Sequence, residues 1–327
     1  MSISIKNIEL SMKKMGFDTL WNGHNFTKWI NDECNEEEAL EVTSLSTWCV
    51  FSEIDKLKNL TNLNCSNCQM KEIPSEIILL TKLKNLNCSK NDLNRLPSEI
   101  GLLTELVIFN CGFNLLTILP IEIGKLKKCR EFNFERNYIS FLPKEIGNMS
   151  DVEILETQCN CLKQFPPEIG NLIKIKILKC DYNNLVELPK EINQMINLNI
   201  LTCCENELSL LPQMNNLEKI TEIRFSRNKI WFLFNGMGSM SSLEKIYCEN
   251  NKLIELPKSF NNLMNLKELC CTDENIIHKN LSCPKDILIA LEKERHHLDT
   301  LRKTERKHKD NNDDMSDDDV VTKRRRF

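Results

Sequence analysis

The sequence contains no long apolar run and no excess of basic residues. A membrane-spanning helix needs about 18 to 20 consecutive apolar residues, and no stretch of the chain approaches that length. Residues 1–15 (MSISIKNIELSMKKM) mix polar side chains into the stretch where a secretory signal is apolar. The chain has 43 lysine and arginine residues and 47 aspartate and glutamate residues, which gives a net charge of −4. It therefore lacks the overall positive potential of a general nucleic-acid binder. These absences predict a cytoplasmic protein that does not bind a membrane, and they argue against nucleic acid as its partner.

The sequence also lacks the residue spacings of a catalytic or metal-binding site. None of its five histidines stands in the spacing of a metal site or a catalytic triad. Cys65 and Cys68 form one CxxC pair, but no second pair follows at the spacing of a zinc finger. Gly236 and Gly238 lack the third glycine of a phosphate-binding loop. We therefore expect no enzymatic activity, no cofactor, no metal and no small-molecule substrate.

What the sequence does contain is an internal repeat of 23 residues. Residues 83–103 (LKNLNCSKNDLNRLPSEIGLL) show the unit nearly complete, as LxxLxCxxNxLxxLPxEIGxL. Two columns of the repeat share one register, in which a single step of 22 residues interrupts the period. Proline recurs at Pro74, Pro97, Pro120, Pro143, Pro166, Pro189, Pro212 and Pro257, and asparagine at Asn91, Asn114, Asn137, Asn160, Asn183, Asn206, Asn228 and Asn251.

This pattern is the leucine-rich repeat, and each part of it has a physical meaning. Apolar residues at period two, such as Leu86 and Cys88, predict a short strand with those side chains pointing inward. The asparagine amide can bond backbone groups of its own and neighbouring coils, and the leucine–proline pair predicts an extended return segment. One unit cannot bury its apolar side alone, so successive units stack. The predicted fold is an α/β leucine-rich repeat solenoid, a curved horseshoe with a parallel sheet on its concave face.

The repeat divides the chain into four predicted parts. Residues 37–281 form the repeat domain, in which one fainter unit precedes ten clear ones. Residues 1–36 are predicted to be an N-terminal capping segment and 282–309 a C-terminal capping helix. Residues 310–327 are highly charged, and we expect them to be disordered; whether Lys323–Arg326 is a nuclear-import signal or a solvated tail stays open. The ten units begin at Leu60, Leu83, Leu106, Cys129, Val152, Ile175, Leu198, Ile220, Leu243 and Leu266.

Cysteine is abundant because it belongs to the repeat. Seven of the 16 cysteines occupy the same inward position, where cysteine acts as a small hydrophobic residue. Neighbouring strands lie about 4.8 Å apart, whereas a disulfide needs its Cβ atoms about 3.5 to 4.5 Å apart. The column therefore predicts free thiols and a reducing compartment. Its members are Cys65, Cys88, Cys111, Cys180, Cys203, Cys248 and Cys271.

Function must lie on the residues that alternate with the inward ones, because these project from the concave face. Four of them are isoleucines, which we expect to be exposed and to form the apolar centre of a protein-binding surface with charged surroundings. The alternative is that these β-branched residues only favour the strand conformation. Trp231 and Phe232, beside the 22-residue step, are a second candidate region. The predicted partner-binding residues are Ile108, Phe113, Ile154, Glu156, Ile177, Lys179, Tyr182, Ile200, Arg224 and Tyr247.

The LPxEIG motif at 23-residue spacing closely resembles that of cytoplasmic leucine-rich repeat proteins related to Ras-pathway scaffolds and to the plant intracellular Ras-group repeats. The resemblance covers residues 37–281, and it implies a non-catalytic scaffold that presents its concave face to another protein. This sequence departs from that family by placing cysteine where leucine is usual. Its abundance of asparagine, lysine and isoleucine resembles proteins of AT-rich genomes such as those of amoebae or giant viruses. A second hypothesis stays open, in which residues 1–36 dock the chain as a substrate-receptor adaptor of a larger complex such as a ubiquitin ligase.

Overall fold

The computed structural model describes residues 40–271, with gaps at 41, 43 and 47–51. The predicted N-terminal capping segment (1–36), C-terminal capping helix (282–309) and charged tail (310–327) lie outside the described residues. The domain bounds drawn from the sequence therefore stay predictions.

Each coil of the described chain contributes one strand of three residues to a single parallel sheet. The eleven strands follow one another in chain order without a crossover, so that every strand pairs with the strand of the next coil. The pairing keeps the sequence columns in register, as Leu63 opposite Leu86 shows. Strand β1 belongs to the fainter unit that precedes the ten clear ones. The strands are Ser44–Ser46 (β1), Asn62–Asn64 (β2), Asn85–Asn87 (β3), Ile108–Asn110 (β4), Glu131–Asn133 (β5), Ile154–Glu156 (β6), Ile177–Lys179 (β7), Ile200–Thr202 (β8), Glu222–Arg224 (β9), Lys245–Tyr247 (β10) and Glu268–Cys270 (β11).

The return segments of the coils are 3₁₀ helices of five residues. The proline before them is extended, as at Pro97 with φ −67° and ψ 148°, and the predicted extended return thus leads directly into each helix. Between β8 and β9, where the coil is one residue shorter, the structure shows no such helix. Over the described residues the 3₁₀ helices are Ser52–Lys56, Ser75–Leu79, Ser98–Leu102, Ile121–Lys125, Lys144–Asn148, Pro167–Asn171, Lys190–Gln194, Asn235–Ser239 and Lys258–Asn262.

The core lies between the sheet and the helices and runs through all the described coils. Leucine and isoleucine fill most of it. Phenylalanine enlarges it in two successive coils, where the rings of Phe109 and Phe132 stack with centroids 5.4 Å apart. Phe134, which takes the place of a column cysteine, packs against Phe132 at 5.0 Å. The repeat period therefore predicted the inward residues that form this core.

The asparagine column joins neighbouring coils through backbone hydrogen bonds. Asn137 is buried. Its Nδ2 group donates to the carbonyl of Phe134 at 2.9 Å and to the carbonyl of Cys111, one coil earlier, at 3.2 Å. Its Oδ1 accepts from the amide of Leu116, also in the earlier coil, at 2.9 Å. The residue before the asparagine adopts a left-handed conformation, as Arg136 does with φ 52°. Since this conformation costs about 1 to 2 kcal/mol for a residue other than glycine, the asparagine bonds must offset it in every coil.

The cysteine column is a line of buried thiols that bond across the coils. Cys65 Sγ and Cys88 Sγ each donate to a carbonyl of the following strand at 3.4 Å. Thr157 occupies the equivalent position in a later coil and donates its Oγ1 to the carbonyl of Lys179 at 3.0 Å. All seven predicted members of the column are free thiols. In the coils that carry cysteine or threonine, the inward position holds a small side chain with one weak donor, whereas Phe134 and Phe225 fill the same position in two other coils.

Glycine in the EIG part of the repeat allows the helices of neighbouring coils to pack closely. A Cβ atom placed on Gly170 would lie 2.5 Å from the backbone oxygen of Glu191 and 2.6 Å from its Cβ. Real Cβ atoms do not approach backbone atoms so closely, so a larger residue at this position must push the two coils apart.

We expect Gly170→Ala to lower the free energy of unfolding by about 1 to 3 kcal/mol, because overpacking forces the backbone to shift. Urea denaturation followed by circular dichroism measures the change. Gly112→Ala is the matched control, since its Cβ would lie 3.0 Å from Asn133 Oδ1 and 3.2 Å from the backbone oxygen of Glu135, contacts that shifts of a few tenths of an ångström relieve. Equal losses in the two variants would contradict the explanation by close coil packing.

Candidate functional site

The outward side chains of the eleven strands form one continuous surface, which we call the sheet face. Two outward columns cross it, because the first and third residues of each strand point away from the core while the second points inward. The turn after each strand continues this surface with a residue in the left-handed conformation, such as Phe113 or Tyr182. All ten residues predicted to bind a partner lie on the strands or on these turns.

Three of the predicted isoleucines form a row across neighbouring strands. Ile154, Ile177 and Ile200 stand opposite one another in the register of β6, β7 and β8. They are half-buried rather than exposed, because each side chain is flanked by its equivalent on the next strand. Ile108 is 37% exposed, but Glu131 on the intervening strand separates it from the row. The expected set of four exposed isoleucines is thus one exposed residue and one half-buried row, which we call the isoleucine row.

A polar chain runs beside the isoleucine row in the second column. Asn133 Nδ2 donates to Glu156 at 2.7 Å, and Lys179 Nζ pairs with the same carboxylate at 2.5 Å. The next member of this column, Thr202, is buried and bonds to Asp181. Glu156 and Lys179 therefore neutralise each other, so the border of the row carries paired charges.

Arg224 and Tyr247 meet at the far end of the sheet face. The guanidinium carbon of Arg224 lies 4.5 Å from the centre of the Tyr247 ring, a distance at which a cation and an aromatic face attract each other. Arg224 also pairs with Glu222. Burial, and then a hydrogen bond with Glu268, raises the pKa of Tyr247. Sequence reasoning missed both glutamates, since neither is distinguished from other outward residues until the strands are placed side by side.

Phe113 and Tyr182 do not extend the isoleucine row as one apolar patch. They occupy the same turn position three coils apart, with Arg136 and Cys159 between them. Phe113 is 38% exposed and has a cation near its ring on each side: Lys90 Nζ at 5.7 Å and Arg136 Cζ at 5.1 Å. Tyr182 is 57% exposed. The structure therefore places Phe113 within a basic group, whereas Tyr182 belongs to the coil of Ile177.

A second apolar surface lies beyond the asparagine column, and sequence reasoning found only part of it. It contains Trp231 and Phe232, which were singled out because they flank the shorter coil. A larger cluster lies on two earlier coils, and sequence reasoning missed it. Its apolar residues occupy repeat positions that are polar in other units, and this difference is the signal in the sequence that could have revealed the cluster. The exposed residues are Leu115, Ile118, Ile121, Tyr138 and Phe141 in the earlier cluster and Leu210, Trp231, Phe232 and Ile254 in the later one.

The described residues show no group of three or more histidine, cysteine, aspartate or glutamate side chains placed to hold a metal ion. In the same part of the chain, the only buried side-chain oxygen or nitrogen without a hydrogen-bond partner is Oε1 of Gln158. None of the helices described is long and apolar enough to span a bilayer. What the geometry offers is an extended face for contact with another molecule.

No protein-family model and no curated protein sequence matches the chain. Solved structures do match it. A leucine-rich repeat protein of Leptospira interrogans is 25% identical, with 83% of this chain and 85% of that one covered and a TM-score of 0.53. The functional domain of InlJ from Listeria monocytogenes, which includes a cysteine ladder, is 21% identical, with 75% and 57% covered and a TM-score of 0.64. The repeat ectodomain of the receptor kinase GASSHO1/SCHENGEN3 from Arabidopsis thaliana, in complex with CASPARIAN STRIP INTEGRITY FACTOR 2, is 23% identical, with 74% and 37% covered and a TM-score of 0.61.

Proposed function

Since the described part of this chain is a leucine-rich repeat solenoid, we propose that it is a non-catalytic scaffold that binds a protein partner through its sheet face. The isoleucine row carries this proposal. A row of apolar side chains with paired charges at its border has the arrangement of a protein interface, in which an apolar centre is surrounded by polar groups. The complex of the similar Arabidopsis ectodomain with CASPARIAN STRIP INTEGRITY FACTOR 2 also supports the proposal.

The partner contacts are proposed to extend from the isoleucine row in both directions. Arg224 and Tyr247 offer a cation–aromatic pair of the kind enriched at interface hot spots. Ile108 and Phe113 offer exposed apolar area at the other end. We place this binding in the cytoplasm, because the column of buried thiols suits a reducing compartment. The LPxEIG repeat supports a role like that of the intracellular Ras-group scaffolds.

The test uses a variant that adds charge to the isoleucine row. Ile154→Glu, Ile177→Glu and Ile200→Glu together should weaken partner binding by at least about tenfold, since carboxylates placed at the centre of an apolar interface are desolvated without partners. Affinity capture from cell extract identifies the partner, and a titration of the purified partner against the wild-type and variant chains measures the loss.

A matched variant separates loss of the surface from loss of the fold. Leu102→Glu, Ile173→Glu and Ile196→Glu change three exposed apolar residues that lie outside both the sheet face and the second apolar surface, and they should leave binding unchanged. Both variants must show the wild-type circular dichroism spectrum. Retention of the partner by the first variant, or loss in both, would contradict the assignment to the isoleucine row. Recovery of RNA in place of protein would contradict the protein-scaffold proposal itself.

A further inference from the structure

The coils of strands β2, β3 and β4 carry an unusual set of hydrogen-bond donors on the sheet face. Asn64, Asn87 and Asn110 stand opposite one another in β2, β3 and β4. Each Oδ1 accepts from the backbone amide two residues later, at 3.1, 3.1 and 3.0 Å respectively. The three amides therefore have the same orientation, and their Nδ2 groups point away from that bond. We call residues 62–67, 85–90 and 108–113 the amide surface.

The Nδ2 groups of these three asparagines have no acceptor among the described residues. The fourth asparagine of the column shows which acceptor this position favours, because Asn133 Nδ2 donates to the carboxylate of Glu156 at 2.7 Å. Glu156 occupies the next place in the same column, one strand further along. The column thus contains one satisfied amide–carboxylate pair and three equivalent amides with free donors.

Charge on the amide surface favours the same kind of ligand. Its residues include no aspartate or glutamate, while the next coil borders it with two carboxylates, Glu131 opposite Ile108 and Glu135 beside Gly112, and with one cation, Arg136. Lys90 and Arg136 lie on the two sides of the Phe113 ring, and neither forms an ion pair within the part of the chain that the structure describes. Three amide donors and two unpaired cations together match a segment that carries several carboxylates. Two cations are too few for the string of phosphate contacts that nucleic acid makes.

The sequence itself supplies such a segment. Residues 310–319 (DNNDDMSDDD) include six aspartates and no basic residue. We propose that the amide surface is a binding site for carboxylates and that the acidic segment 310–319 of the same chain occupies it. The site is distinct from the isoleucine row, but it includes Ile108 and Phe113, which are proposed to contact the partner. A docked segment would therefore compete with the partner for that end of the sheet face.

The length of the chain permits this contact. Strand β3 lies eight strands before β11, which is about 38 Å at a strand spacing of about 4.8 Å. Asp310 is the 39th residue after Cys271. The 38 residues between Cys271 and Asp310 can span about 57 Å at the helical rise of 1.5 Å per residue, and more wherever the chain is extended. A tethered segment has an effective concentration near the millimolar range, so weak contacts are enough to hold it.

Zero-length coupling with a carbodiimide tests the proposal in the full-length chain, because this reagent joins an amine to a carboxylate only where the two are in contact. An equal mixture of unlabelled and nitrogen-15-labelled protein is coupled, digested and analysed by mass spectrometry. We expect Lys90 to be joined to residues 310–319 of its own chain at least about tenfold more often than Lys144, which is exposed on the helix side and serves as the reference for random contact.

A matched pair of variants isolates the amide donors. Asn87→Ser with Asn110→Ser keeps an oxygen that can accept from the turn amide but removes both Nδ2 groups. This variant should reduce Lys90 coupling about fivefold or more, since hydrogen bonds to charged groups are each worth a severalfold change in affinity. Asn148→Ser, an exposed asparagine on the helix side, should change nothing.

Three results would overturn the proposal. Coupling of Lys90 no greater than that of Lys144 would show that the segment does not dock on the amide surface. Products that join labelled to unlabelled chains would assign the segment to a second molecule instead. Unchanged coupling in the double serine variant would show that the amides are not the donors. Since none of these readouts depends on the isoleucine row, each is separable from failure of the proposed scaffold function.

Discussion

Asn137→Ala is expected to lower the free energy of unfolding by about 3 kcal/mol, one of the largest effects of any single substitution in this chain. The side chain makes three donor contacts to backbone carbonyls of two coils and accepts one bond from Leu116. The carbonyls of Cys111 and Phe134 each keep a second asparagine donor, but the buried amide of Leu116 would lose its partner. An unpaired buried donor costs about 1 to 3 kcal/mol, and the lost bonds and the cavity add to this. Urea denaturation measures the change.

Asn184→Ala is the control for Asn137→Ala. Asn184 lies beside the column residue of its own coil, and its side chain is exposed. Substitutions at such positions change stability by less than about 0.5 kcal/mol. If Asn137→Ala cost no more than this, the column would not be what holds the coils in register, and the explanation of the repeat's asparagine would be wrong.

A steep loss of stability above pH 9 is the second large effect that we expect. Burial raises the pKa of the thiols of Cys65, Cys88, Cys111 and Cys180, and raises that of Cys129 to about 12. In the unfolded chain the thiol pKa is about 8.5. The folded state therefore retains protons that the unfolded state releases. The contribution of these thiols to the free energy of unfolding is fully present below about pH 8 and is lost as the pH rises toward the folded-state pKa.

The size of this effect follows from the number of thiols. Each thiol whose folded-state pKa lies far above the pH contributes a slope of about 1.4 kcal/mol per pH unit above the unfolded-state pKa, and Cys65, Cys88, Cys111 and Cys129 together approach about 5 kcal/mol per unit. Two such units would remove about 10 kcal/mol, which is most or all of the stability of a domain with about 5 to 15 kcal/mol. Urea denaturation at pH 8, 9 and 10, with a reductant present to prevent disulfide formation, measures the slope.

Cys65→Thr with Cys88→Thr separates the thiols from other groups that titrate at high pH. Thr157 already occupies this column position and makes the equivalent bond, so threonine is compatible with the coil. In this variant the free energy of unfolding should fall less steeply with pH, by about 2.7 kcal/mol per pH unit, because two titrating groups are removed. An unchanged slope would show that the alkaline loss comes from elsewhere.

The fold was predictable because its two determinants are periodic in the sequence. Period-two alternation around residues such as Leu86 placed the strands, and the asparagine and proline columns placed the turns and returns; the structure confirms these predictions. The form of the return segment was not predicted, since five-residue 3₁₀ helices have no periodicity of their own. The need for glycine at Gly170 also escaped sequence reasoning, because its reason is the backbone of Glu191 in the next coil.

The candidate site was only partly predictable. The sequence identified Ile154, Ile177 and Ile200 as one column, but it could not show that neighbouring strands cover half of each side chain. It could not show that each asparagine of the amide surface uses its Oδ1 within its own turn and leaves its Nδ2 without an acceptor among the described residues. The cluster around Tyr138 and Phe141 was overlooked because exposure on the flank of a coil depends on how the return segment turns.

The sequence by itself determined the path of the chain: one strand, one turn and one return per 23 residues, with the inward residues and the coil-to-coil bonds fixed by their columns. These features depend on residues that are close in sequence or one repeat apart, so the sequence period is enough to predict them. Tertiary structure alone decided which outward residues are exposed, which charges are paired and which donors are free. The reason is that residues 23 apart in the chain become neighbours at about 4.8 Å only when the coils stack, and each surface group is then defined by what its neighbours on the two adjacent coils happen to be.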